Sequence, residues 1–149
     1  MIVSQKCQYA LRAVFELAKR LGRGPTTVGE IAEAQAIPPR FLELILNQLR
    51  QGGFVESRRG VQGGYLLTLP PESLSVGDII RFIDGPLAPV RCLSGNQNTG
   101  CPLYGSCAFL STWKRAADAM AQVYDQTTFE DLINEERAAS EKYVASYCI

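Results

Sequence analysis

Between two short apolar runs, Phe54-Val55 and Tyr65-Leu66-Leu67, the chain carries Ser57-Arg58-Arg59-Gly60-Val61-Gln62-Gly63-Gly64. That arrangement predicts a β-hairpin with a basic, flexible tip that is nearly free of side chains. Such a tip can approach another backbone closely, and its adjacent arginines can reach a phosphate or enter a narrow groove. In isolation the stretch is only a turn. What gives it weight is the pattern of residues that precedes it.

A first helix is predicted from about Cys7 to Leu21, because Ala10, Leu11, Val14, Leu17, Ala18 and Leu21 follow the three-four spacing of a buried stripe. Gly22, Gly24 and Pro25 end it. Thr27 followed by Glu30 forms a capping-box pattern ahead of a short helix through Ile31, Ala32 and Ala34. Ala36-Ile37-Pro38 reads as a turn. Pro39 then suits the first position of another helix, where its missing N–H is not needed. That helix runs through Phe41, Leu42, Leu44, Ile45, Leu46 and Leu49 and ends at Gly52-Gly53. Two short helices joined by a tight turn and followed by a hairpin is the order of a winged helix-turn-helix. In that order the second short helix is the recognition helix and the hairpin is the wing. Arg40 and Glu43 lie one turn apart at its start. An arginine pairs with guanine, and a carboxylate accepts from cytosine N4. The competing reading of Glu43 is a solvated helix residue.

Charge supports this polarity. The net charge of the 149 residues is zero, but residues 1–66 hold nine Lys/Arg against five acids (+4), and residues 67–149 hold six against ten (−4). The basic half is the half with the helix-turn-helix, an asymmetry expected of a nucleic-acid-facing module. Two solvated faces that happen to differ would show the same totals. No uninterrupted apolar run is long enough to span a bilayer, and the first residues lack the apolar stretch of a signal peptide. The expectation is a soluble, cytoplasmic protein without membrane contact.

After the hairpin, Leu69-Pro70-Pro71-Glu72 reads as a linker. Ser75-Val76-Gly77-Asp78 starts a short apolar helix that Asp84-Gly85-Pro86 breaks. Residues 87–106 are loop-like, rich in Gly, Pro, Asn and Ser. From about Cys107 or Leu110 to Tyr124 an amphipathic pattern returns, with a broad apolar face of Phe109, Leu110, Trp113, Ala117, Met120 and Tyr124. A single winged domain has little room to bury that face, so packing against a second copy is the simplest solution. A final short helix is expected from Thr128, and the charged tail from Glu135 is expected to be loosely held. The fold class is therefore mainly α with a small β-hairpin wing. Residues 1–70 would form the DNA-binding unit. Residues 71–149 would hold a cysteine loop (about 87–107), a dimerisation helix (about 108–125) and the C-terminal helix.

Five cysteines, an odd number, argue against a disulfide framework. Cys92, Cys101 and Cys107 crowd into one glycine-rich loop, which can wrap a compact centre and bring three thiolates together. Three soft ligands suit an iron–sulfur cluster or zinc, although the spacing is not that of a zinc finger. The chain has no histidine, so a fourth ligand must be Cys7, Cys148, a carboxylate, Gln8 or a group from outside. Two alternatives stand beside a metal: a reversible disulfide between two of the three, and plain reduced thiols packed near the following helix. The absence of histidine also removes the usual base for a cysteine nucleophile. No other catalytic constellation is present, so the chain is not expected to be an enzyme.

Several of these residues together resemble the Rrf2 family of bacterial regulators. They are Ser4-x-Lys6-x-x-Tyr9-Ala10-Leu11-Arg12-Ala13, Ile31-Ala32-Glu33, Ile37-Pro38-x-x-Phe41-Leu42-Glu43-x-Ile45-Leu46 and, above all, Ser57-x-Arg59-Gly60-x-x-Gly63-Gly64-Tyr65-x-Leu67. The resemblance covers about residues 1–145. It implies a homodimeric winged-helix repressor or activator of transcription that binds double-stranded DNA. In its cluster-binding members a three-cysteine loop precedes the dimer helix, and Cys92, Cys101 and Cys107 fall at those positions. The cluster would sense redox state, nitric oxide or cluster supply, with two or four irons. By the same resemblance Glu43 falls at a base-discriminating position and Arg59 at the wing arginine that enters the minor groove, with Arg58, Gly63 and Gly64 beside it. Lys6, Arg12, Thr26 and Thr27 would hold phosphates. The sequence departs from the family in three places. The first cysteine gap is longer, Phe109 and Leu110 stand where some members have a ligating histidine, and Gln8 stands where others supply an acid from the partner subunit. The fourth ligand, Cys7 or Gln8 of the partner subunit, is thereby open.

Overall fold

The computed structural model describes residues 2–95 and 100–147, with side chains described through Tyr143. Helix α1 (Gln5–Lys19) begins two residues earlier than the apolar stripe predicts, because Ser4 caps it: the Ser4 hydroxyl accepts from the Cys7 amide. Such a cap stabilises a helix by about 1 kcal/mol. Helix α2 (Val28–Gln35) starts at the expected capping box, with Glu30 Oε2 accepting from the Thr27 amide at 2.8 Å. The turn to α3 (Pro39–Gln51) passes through Ala36 in the left-handed conformation, φ 48°. Pro39 occupies the first turn of α3, and Leu42, Ile45, Leu46 and Leu49 form its buried stripe.

Strands β1 (Val55–Arg58) and β2 (Gly64–Leu67) pair antiparallel, with Val55 opposite Leu67 and Arg58 opposite Gly64. The hairpin is tied to the helical body at its base. Thr26 and Tyr65 exchange both backbone hydrogen bonds, at 2.9 and 2.8 Å. A side chain at Gly64 would collide with the Thr26 backbone, and Gly64 has φ +154°. One at Gly63 would collide with the Arg58 carbonyl. The glycines of the hairpin thus have a packing reason independent of any partner.

A 3-10 turn, Pro71–Ser73, leads to α4 (Val76–Asp84), which begins with a second capping box between Ser75 and Asp78. Another 3-10 turn, Arg91–Leu93, precedes α5 (Leu110–Gln126) and then α6 (Phe129–Tyr147). The expectation of a short last helix and a loose tail is corrected here: α6 runs nineteen residues, and Glu136 is paired with Lys19 at 2.7 Å. Charge masked the helix. Its inner face docks through Phe129, Leu132 and Ile133, and residues 134–143 are exposed.

Helix α1 is the hub, packing against α2, α3, α4 and α6. The main core joins Val14 and Leu17 of α1 to Leu46 of α3, Ile79 of α4 and Phe129 of α6. A satellite core encloses Cys7 with Val76, Ile80 and Leu87. Helix α5 contributes no buried residue. Among the described residues, no helix is long and apolar enough to cross a membrane.

Candidate nucleic-acid interface and cysteine loop

Helix α3 turns its apolar stripe inward and leaves the opposite arc to solvent. Arg40, Phe41, Glu43, Leu44 and Asn47 are all exposed. Neither Arg40 nor Glu43 is paired with a charged group among the described residues, so both are free to meet base edges. In the wing, Arg58 is drawn to Glu56 at 3.3 Å. Arg59, at the exposed tip, has no such partner among the described residues.

The phosphate-holding set is mixed. Lys6 is exposed beside α3. The Arg12 guanidinium donates to the Gln35 carbonyl and lies over the Tyr9 ring at 5.7 Å, so it braces α1 against the end of α2. Thr26 is 3% exposed and faces inward. The Thr27 hydroxyl is occupied by Glu30, donating at 2.8 Å. Thr27 caps α2 in a closed capping box with Glu30, and Thr26 ties the start of that helix to the wing through Tyr65, so both threonines are engaged within the fold.

A network that sequence reasoning missed ties α1 to the end of α2. Glu16 is buried at 5% exposure, where it accepts from Arg20 at 2.7 Å and from Gln35 at 2.8 Å. Burial alone would raise its pKa. The hydrogen bonds from Gln35 and Arg20 outweigh that, and the carboxyl ends below its ordinary value. The signal was an acid on the apolar stripe of α1 with a basic residue four positions on.

Of the three loop cysteines, Cys92 sits half-buried in the Arg91–Leu93 turn, Cys101 is exposed, and Cys107 is half-buried, its carbonyl accepting from Leu110 at the head of α5. Residues 96–99 and Cys148 lie outside the described residues. Among the described residues no three Cys, Asp or Glu side chains are gathered into a group that could hold a metal ion. The donor chemistry still suits a thiophilic centre: three thiols on one segment, with left-handed glycines at Gly95, Gly100 and Gly105 able to redirect the backbone.

The two residues weighed as a fourth ligand differ sharply. Cys7 is fully buried, and its pKa is pushed up to about 12 by that burial and by Asp84. Gln8 is exposed, its amide donating to the Val3 carbonyl. Asp84 is a second residue the sequence pattern missed. It closes α4 just ahead of the cysteine loop and accepts from the Ser4 amide at 2.8 Å and the Ser4 hydroxyl at 2.5 Å. The loop is therefore anchored at one end to the cap of α1 and at the other to α5.

The sequence signature of the Rrf2 family, described as an iron-dependent transcriptional regulator, matches residues 3–135. This chain belongs to the Rrf2 family of transcriptional regulators. It is 37% identical to the HTH-type transcriptional regulator CymR of Bacillus subtilis over 144 residues, which is 97% of this chain and 98% of that one. The solved structure of that protein, called the global cysteine regulator of B. subtilis, superposes with a TM-score of 0.73 over 91% of this chain and 98% of that chain. T. potens IscR, at 32% identity, superposes with a TM-score of 0.77 over 93% of this chain and 90% of its own. The oxidized form of Staphylococcus aureus CymR, at 33% identity, covers 89% of this chain and 95% of its own with a TM-score of 0.67. The Rrf2 signature thus spans the helix-turn-helix, the wing, the cysteine loop and α5, and the fold is that of DNA-binding regulators.

Proposed function

We propose that this Rrf2 regulator acts as a homodimer on a specific operator, and that an iron–sulfur cluster on Cys92, Cys101 and Cys107 sets its DNA affinity. The observation that carries the reading is the placement of three thiols on one segment between α4 and α5 in a family described by iron dependence. A bound cluster would supply reversible redox chemistry and reactivity toward oxidants or nitric oxide. The chain's own residues supply the rest. Arg40 and Glu43 read base edges from the start of α3, and Arg59 enters the minor groove from the wing. Lys6 holds a phosphate and helps fix register. Two copies joined through α5 would place their recognition helices about one helical turn apart, near 34–36 Å.

The coupling from loop to DNA face runs through two tethers. Asp84 fixes the Ser4 cap of α1, and α1 is the hub on which α2 and α3 pack. Cys107 leads into α5, which Arg81 holds to α4 through a two-pronged pair with Asp125 at 2.6 and 2.7 Å. A change in loop order biases both tethers and shifts the population between two arrangements of the dimer. For the outside ligand, the exposed Gln8 is better placed than the enclosed Cys7. Residues 1–70 then act as the reading unit and residues 71–149 as the sensing and pairing unit.

A second reading, in which the thiols themselves are the sensor, is favoured by the 33% identity to a regulator solved in an oxidized form and by the exposure of Cys101. Anaerobic purification with visible absorption and iron and sulfide analysis separates the two. Cysteine-dependent absorption bands with stoichiometric iron support the cluster. An iron-free protein whose DNA affinity still changes on oxidation replaces it with the thiol switch.

A further inference from the structure

Helix α3 carries two large apolar side chains on the arc where a recognition helix meets DNA. Phe41 is 60% exposed and Leu44 is 70% exposed. At about 100° per residue, Leu44 lies about 40° round the helix from Arg40 and Phe41 about 60° beyond Leu44, toward α1. Glu43 and Asn47 lie on the other side of Arg40. The arc is thus divided, with polar residues on one flank and an apolar flank facing α1. Between that flank and α1 is a cleft of about 420 Å3, lined by Phe41, Leu44, Gln48, Tyr9 and Lys6. Tyr9 is fixed there by Gln5, whose amide donates to its hydroxyl at 3.0 Å.

Among the described residues, nothing covers Phe41 or Leu44. Their surroundings select an occupant by charge: Lys6 and Arg40 bracket the apolar patch, on the half of the chain that carries net +4. The matching partner is polyanionic at its edges and apolar at one point between them. The major groove of B-DNA meets that description, and its one apolar group is the C5-methyl of thymine.

We infer that Phe41 and Leu44 read thymine methyl groups, so each operator half-site carries an A·T pair beside the base pairs read by Arg40 and Glu43. This inference rests on the DNA-binding reading and adds a specificity to it. The phosphate of the same strand falls to Lys6. Burying one methyl between these side chains contributes about 0.8 kcal/mol, which is about a fourfold change in affinity.

The test is selection of an operator from random duplexes by the full-length protein, followed by replacement of each thymine with deoxyuridine. That replacement removes the methyl and leaves the hydrogen-bonding edge unchanged. At one or two thymines per half-site the wild-type protein should lose about fourfold in affinity. Phe41→Ala and Leu44→Ala, both at exposed positions that leave the core intact, should bind thymine and deoxyuridine operators equally. Equal binding of the two operators by the wild-type protein overturns the inference and leaves a DNA-binding regulator standing. Failure to enrich any duplex overturns both.

Discussion

Cys7 lies in the first turn of α1, enclosed by Val76, Ile80 and Leu87, with Asp84 nearby. Burial and that carboxylate hold its thiol neutral. Alkylation of the native, iron-free protein followed by peptide mass mapping should therefore label Cys101 readily and Cys7 only after unfolding. The same shift has a pH consequence. A pKa raised from 9.0 to about 12 on folding means the contribution of the neutral thiol is complete below pH 9.0 and is lost as pH rises toward 12. Urea unfolding across that window should show a shallower decline for Cys7→Ala than for the wild type. Two backbone positions should respond in opposite directions. Gly64→Ala forces a methyl against the Thr26 backbone at a strained φ and should cost about 2 kcal/mol in urea unfolding. Ala36→Gly relieves a left-handed alanine in the helix-turn-helix and should stabilise by up to about 1 kcal/mol. The glycine at position 64 is legible in the sequence as a hairpin signal. The turn at Ala36-Ile37-Pro38 is legible too, but its left-handed alanine is not, because no Gly or Asn stands there to mark a positive φ.

At the scale of elements, local signals set the boundaries and long-range contacts shifted them. The capping boxes at Thr27–Glu30 and Ser75–Asp78 start α2 and α4 where the sequence reading places them. The start of α1 is different. Ser4 serves as its cap while Asp84, eighty residues away, holds the serine in place. Helix α5 has no fully buried residue; Ala121 and Tyr124 pack against the satellite core beside α4, and Arg81 pairs with Asp125, with Gly77 leaving room for that pair. Partner exposure limits such a bond to about 1 kcal/mol. Arg81→Ala should therefore leave global stability within about 1 kcal/mol while speeding amide hydrogen exchange along α5. Unchanged exchange there would remove this pair from the coupling route. The full length of α6 was hidden for a related reason. Its polar outer face reads as a tail until α1 is present to receive Phe129, Leu132 and Ile133.

Across the whole molecule, one hub helix joins the DNA-facing elements to the segment that carries the thiols, while α5 presents Trp113, Met120 and Val123 without a core of its own. In the proposed homodimer those residues form the seam. Trp113→Glu with Met120→Glu should yield monomers in sedimentation velocity and weaken operator binding at least tenfold, because each half-site alone retains only part of the contacts. A dimer that survives both changes would place the seam elsewhere. The sequence alone determined the helix-turn-helix, the wing, the charge polarity and the placement of three cysteines on one loop segment. Those features rest on spacing, caps and glycines, which act within a few residues. The tertiary structure decided that Cys7 is sealed and neutral, that Thr26 faces inward, that Asp84 holds the Ser4 cap of α1 and that Phe41 and Leu44 are exposed. Each of these depends on which distant element comes to rest against the residue, and a local pattern carries no information about burial by a segment eighty positions away.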